Sequence, residues 1–217
     1  MSSIKATRRY VSEMRSQAAE ATRARVLAVA KKLFADRGID RVTIAEIAKK
    51  AGVSLSTVYS LYKSKEGILR GLMKATLFGP AFQTAISKLQ GEKDPVRLIA
   101  LTPSVARAIY EAESSELGLM RGASTFSAAL RQLENEFEAI RFEMQKERVE
   151  LLFAQSKHKA GLSLNEARRI LWMYTSRDVY RLLVHEGGWK PERYQKWLST
   201  TLLNELVNPS SLAAVRT

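Results

Sequence analysis

No cysteine occurs anywhere in the 217 residues. Disulfides, thiolate metal sites and thiol redox chemistry are therefore excluded. Only two histidines are present, His158 and His185. They lie far apart in sequence and near expected helix ends, so a metal centre or a catalytic pair built on them is not expected. There is no glycine-rich phosphate loop, nucleophile elbow or zinc-ligand spacing. The carboxylates fall on charged helix faces, where solvation is their default role. Nothing argues for catalysis, and neither a metal nor a cofactor is expected. Long apolar runs are also missing. The longest stretch free of charge runs from Ala75 to Ser87, short of the roughly 18 residues that a spanning helix needs. The beginning, MSSIKATRRY, lacks the apolar core of a signal peptide. A cytoplasmic protein without a membrane partner is the expectation.

What is present is positive charge. Lys and Arg total 35 against 22 Asp and Glu, a net of +13. Residues 1–70 hold 15 basic and 6 acidic residues, and the remaining two thirds hold 20 and 16. A basic excess concentrated in one third of the chain points to a polyanionic partner for that third.

Sustained period-2 alternation is absent, whereas helical periodicity recurs throughout, so the fold class is all-α. In TRARVLAVAKKLFADRG, Val26, Leu27, Ala30, Leu33 and Phe34 share one face, and Gly38 stops the helix. The upstream RRYVSEMRSQAAEA reads as a basic arm over residues 1–20 or as an extension of that helix. Thr43 and Glu46 of TIAE form a capping box. Gly52 follows that helix, Ser54 can cap a short third helix, and Ser64 a fourth. Further along, Gly79-Pro80 and Ser114-Ser115 read as breaks, and Asp94-Pro95 as a helix start. One long helix is expected from Asn135 to about Lys159. SLNE gives a second capping box at Ser163 and Glu166, opening a helix towards His185 with a possible restart at Thr175 and Asp178. Gly187-Gly188 ends it, Pro191 opens the next helix, and the tail from Asn208 is expected to fray.

Two short helices joined by a glycine turn, the second polar and exposed, match a helix-turn-helix. Ala48, Ala51 and Val53 are small enough for a close crossing, and Val58 can anchor the second helix inward. That leaves Ser54, Leu55, Ser56 and Thr57 at the end such helices direct at base edges in the major groove. Tyr59, Tyr62, Lys63 and Lys65 lie where they could meet backbone phosphates, as does Thr43 at the start of the first helix. Double-stranded DNA is the expected partner. Residues 21–70 form the expected DNA-binding domain and residues 71–217 a larger helical body.

The run TRARVLAVAKKLFADRGIDRVTIAEIAKKAGVSLSTVYSLYKSKEGIL resembles the N-terminal domain of the tetracycline-repressor (TetR) family of bacterial regulators. The matching features are Leu33-Phe34, Gly38, Thr43, Ile47-Ala48, Ala51-Gly52-Val53-Ser54, Thr57, Tyr59, Lys65-Glu66 and Leu69. Ser56, Leu61 and Tyr62 depart from the usual residues of the family and bear on which operator is read. The resemblance implies a three-helix DNA-binding head and a helical body that binds a small-molecule effector and dimerises. The implied function is a ligand-responsive repressor acting as a homodimer on a palindromic operator, at the nucleoid. The alternative is an architectural nucleoid protein that recruits a protein partner without an inducer.

Under that resemblance Phe82, Tyr110, Phe126, Phe142, Trp172 and Met173 are candidates to line an effector pocket, although for any one of them helical spacing favours core packing. The C-terminal YRLLVHEGGWKPERYQKWL also resembles the family. There Trp189, Tyr194, Trp197 and Leu202 are candidates for a dimer seam, which a single subunit could alternatively bury.

Overall fold

A computed structural model describes residues 2–112 and 128–213, with some side chains inside that range left undescribed. Among the described residues all regular structure is helical, apart from one isolated bridge between His158 and Val207. No described helix is long and apolar enough to cross a membrane. No group of three or more His, Cys, Asp or Glu gathers at metal-binding distance among the described residues. The chain divides into two compact units, residues 1–75 with 115–130, and residues 76–114 with 131–217.

In the first unit, α1 runs continuously over Ser2–Arg37, so the N-terminal segment continues the helix. The amide of Gly38 closes it on the Phe34 carbonyl at 2.9 Å. α2 (Ile44–Ala51) carries the Thr43–Glu46 capping box, and Gly52 beyond it adopts φ 63°, which costs glycine little. α3 (Leu55–Tyr62) starts at Ser54, whose hydroxyl accepts the Thr57 N–H. α4 (Lys65–Leu77) begins where Ser64 Oγ accepts the Gly67 N–H at 3.2 Å. α1 packs on α2, and α2 on α3. Val26, Ala30, Leu33, Phe34, Ile47, Ala48, Ala51 and Val58 are all buried.

In the second unit, α5 (Pro80–Ser87) and α6 (Pro95–Glu111) both start with proline at the first helical position, where its missing N–H costs nothing. The expected single helix over 135–159 is two, α7 (Ala128–Met144) and α8 (Lys146–Ala154). They part at Gln145, whose side chain is drawn inward to donate to Thr175 Oγ1 at 2.8 Å. α9 (Leu164–Tyr174) opens on the Ser163–Glu166 capping box. Ser176, one residue beyond the anticipated Thr175, caps α10 (Arg177–Tyr180), which runs into a π-helical turn over Arg181–Glu186. α11 (Pro191–Leu206) lies along α6 and also meets α9. The segment after Asn208 does not fray at once. Asn208 Oδ1 accepts the Ser211 N–H at 2.8 Å and starts α12 (Pro209–Ala213). Asn208 is itself held by the Lys157 and Ser156 carbonyls, at 2.9 and 3.1 Å.

Candidate nucleic-acid interface

α3 is anchored on one side and bare on the other. Val58 is 1% exposed, whereas Leu55 and Tyr59 are 45% and 46% exposed. Leaving two large apolar side chains uncovered costs free energy unless a partner covers them. Ser54 Oγ lies 2.8 Å from Ser56 Oγ and 2.7 Å from Thr57 Oγ1 while accepting the Thr57 N–H at 3.0 Å. Ser54 is thereby committed as a cap. Ser56 is exposed and Thr57 partly covered, and both hydroxyls can still accept or donate after rotation.

Of the residues expected at phosphates, Lys63 is exposed and holds φ 65°, unusual for a residue with a Cβ. Thr43 is exposed, but its N–H and hydroxyl both donate to Glu46 Oε2, at 2.9 and 3.1 Å. Those contacts, the Thr43 N–H first and then the Arg37 guanidinium, hold the Glu46 carboxyl down at about 2. Arg37 reaches Glu46 Oε1 at 2.8 Å. The α2 cap therefore keeps its charge through ordinary pH.

Tyr62 and Lys65, also expected at phosphates, each already hold a backbone carbonyl of the head. The Tyr62 hydroxyl donates to the Arg23 carbonyl of α1 at 3.1 Å, and burial pushes its pKa up. Its ring lies so close to Gly71 that a Cβ there would fall 2.9 Å from Tyr62 Cε1 and 3.0 Å from Leu27 Cδ2. Lys65 Nζ donates to the Ile39 carbonyl at 3.0 Å. Both side chains position the end of α3 against the rest of the head. A Cβ on Gly67 would sit 1.8 Å from the Tyr62 carbonyl oxygen, so the α3–α4 turn requires glycine there. Sequence reading passed over Gly67 and Gly71. Their only signal was glycine inside an otherwise helical run.

The residues anticipated for a ligand pocket do not converge. Phe82 belongs to an apolar cluster with Ala85, Leu89, Leu98 and Val105. Tyr110 lies in a separate core and donates to the Thr175 carbonyl at 2.9 Å. Phe142 and Trp172 stack edge to face at 6.3 Å, with Arg168 and Arg169 over the Phe142 ring. Met173 is 48% exposed and lines no core. Phe126 lies outside the described residues. Two of the dimer candidates are corrected as well. Tyr194 and Leu202 are fully buried in the core of their own subunit. Trp189 and Trp197 remain part-exposed and meet edge to face at 5.8 Å.

Residues 26–72, which span this head, match the family model described as bacterial regulatory proteins, tetR family. The chain carries a tetR-family N-terminal domain. An uncharacterised helix-turn-helix-type transcriptional regulator of Mycobacterium tuberculosis is 42% identical over 52 residues, as is one of Mycobacterium bovis. That match covers 24% of this chain and 28% of those relatives' length. Beyond the tetR-type head the likeness is one of fold. A protein assigned to the tetR family from Syntrophomonas wolfei aligns with TM-score 0.69 at 17% identity, covering 84% of this chain and 93% of that one. NalD, the secondary repressor of the MexAB-OprM multidrug efflux pump in Pseudomonas aeruginosa, aligns at 0.64 and 19%, covering 89% and 99%. SmeT in complex with triclosan aligns at 0.66 and 18%, covering 87% and 93%. The relatives matched over the head are helix-turn-helix-type transcriptional regulators.

Proposed function

We propose that this protein is a DNA-binding transcriptional regulator that works as a homodimer on a palindromic operator and is released by a small-molecule effector. The observation that carries the reading is α3, anchored by Val58 and presenting Leu55, Ser56 and Tyr59 to solvent directly after the Gly52 turn. Its first turn would enter the major groove, where Ser56 and Thr57 hydroxyls meet base edges and Leu55 offers an apolar surface to a thymine methyl. Tyr59 and Lys63 would fix register on phosphates, with Lys49 and Lys50 at the C-terminal end of α2 adding positive charge. In a dimer the two α3 helices must sit about 34–36 Å apart to reach successive major grooves. An effector favouring another spacing would release DNA by its differential affinity for the two states, with no covalent chemistry. Trp189 and Trp197 are the part-exposed aromatics available to a dimer seam. Such a regulator would work in the cytoplasm, at the nucleoid.

Mapping the chromosomal sites occupied in cells tests the reading. A few promoters sharing an inverted repeat are expected. Broad occupancy without a shared sequence would instead identify an architectural protein.

A further inference from the structure

Among the described residues Arg148 is the one charged side chain that is buried, at 8% exposed. It projects from α8 towards α6. One terminal nitrogen donates to Thr102 Oγ1 at 2.9 Å, and the other to the Met144 carbonyl at 3.3 Å. The Thr102 hydroxyl donates in turn to the Leu98 carbonyl at 2.8 Å, so it meets the guanidinium as a neutral acceptor. Other arginines of this unit hold carboxylates: Arg141 pairs with Glu138, Arg168 with Glu143, and Arg107 with Glu111. Arg148 has no carboxylate partner among the described residues. Burial pushes its pKa down to about 10, with only the charge of neighbouring Glu147 opposing the shift.

A guanidinium offers five N–H donors in a planar fork that matches a carboxylate. Burying that charge against two neutral oxygens costs more than those hydrogen bonds return. The missing counter-charge has a place to sit, because Arg148 lines a cavity of about 390 Å³ whose apolar walls are Ile86, Leu89, Leu98 and Met144. That volume falls within the roughly 300–1,000 Å³ of small-molecule sites. Two acidic residues share the lining. Glu92 is already engaged, accepting the Lys93 and Asp94 N–H groups at 2.9 Å each and pairing with Arg97 at 3.4 Å. Glu147 is exposed and solvated.

We propose that this cavity binds an amphipathic monoanion, with its carboxylate on Arg148 and its apolar chain along Ile86, Leu89, Leu98 and Met144. The proposal rests on the reading of the helical body as an effector-binding unit and names the chemical class of the effector. A cationic or neutral amphiphile would fill the apolar walls but leave the buried charge unanswered.

Calorimetric titration of the full-length protein with octanoate, 1-octanol and octyltrimethylammonium, without DNA, tests it. Octanoate is expected to bind at least tenfold more tightly than 1-octanol, and octyltrimethylammonium the least. Arg148→Met is expected to erase the preference for octanoate while keeping the affinity for 1-octanol. Equal affinities in the wild type, no octanoate binding, or a preference that survives in Arg148→Met would each overturn the proposal. Should Arg148→Met fail to fold, Leu89→Trp carries the test. It fills the cavity but leaves both Arg148 hydrogen bonds, so octanoate binding should vanish from a folded protein, and undiminished binding overturns the proposal. A failure of the DNA-binding reading would leave these titrations unchanged. Octanoate that binds through Arg148 without loosening DNA would count against the effector reading and not against the site.

Discussion

Replacing Tyr62 by phenylalanine separates two roles that sequence alone cannot distinguish. The substitution removes one hydroxyl and nothing else. That hydroxyl donates to the Arg23 carbonyl at 3.1 Å, tying the end of α3 to α1. The ring, packed beside Gly71 and Leu27, keeps its place. A neutral hydrogen bond contributes about 0.5–1.5 kcal/mol net. Water can reach the Arg23 carbonyl once the hydroxyl is gone, because Arg23 is exposed. The low end, about 0.5–1 kcal/mol, is therefore expected. For a chain of this length that lowers Tm by roughly 1–4 °C. Scanning calorimetry reads the shift, and fluorescence anisotropy over a salt series reads DNA affinity. If Tyr62 only positions α3, the log–log salt slope stays the same and Kd rises no more than a few-fold. If the hydroxyl met a phosphate, Kd would rise at least about tenfold at every salt concentration, because a hydrogen bond to a charged group contributes about 1.5–3 kcal/mol, while the slope would stay the same, because a neutral hydroxyl releases no counterion. An unchanged Tm together with that larger loss of affinity would refute the reasoning.

Lys63 holds a left-handed backbone at φ 65° that strains a side-chain-bearing residue by roughly 1–3 kcal/mol, so Lys63→Gly should leave Tm unchanged or raised. The same variant should lose about 0.9 of the salt slope if the ammonium meets a phosphate. Glu46 has a folded-state pKa of about 2, below its ordinary 4.5. Its contribution to stability is therefore complete above about pH 4.5 and fades as pH falls towards 2. The Tm difference between wild type and Glu46→Gln should shrink across that window, and a constant difference would contradict the capping role. Leu202→Ala opens a void in the subunit core and should cost about 2–5 kcal/mol. Melting curves at several protein concentrations check whether that loss is independent of association, as a core position requires.

The features legible in the sequence were those set by neighbouring residues. The Thr43–Glu46 and Ser163–Glu166 capping boxes formed as read because each bond spans only three residues. The Gly52 turn and the inward Val58 followed from backbone freedom and helical spacing. Features set by distant partners were not legible. The break at Gln145 has neither glycine nor proline to announce it and depends on Thr175, thirty positions on. The inward turn of Tyr62 and Lys65 depends on the carbonyls of Arg23 and Ile39. Tyr194 and Leu202 carry an apolar pattern that fits a partner's surface as well as their own core, and only the packing of α11 along α6 decides between them. Arg148 stands between Glu147 and Glu150 like any charged surface residue, so nothing local indicates its burial.

The central claim is that the exposed face of α3 reads DNA. The most direct measurement is anisotropy titration of a duplex selected from a random pool, comparing wild type with the Thr57→Ala, Tyr59→Ala double variant between 50 and 200 mM salt, the range over which phosphate contacts weaken binding by orders of magnitude, about 10³–10⁵ for six to ten contacts. The expected result is a wild-type affinity that falls steeply with salt, and a double variant at least tenfold weaker at every salt concentration. Equal affinity of the two proteins, or a flat salt response of the wild type, would contradict it.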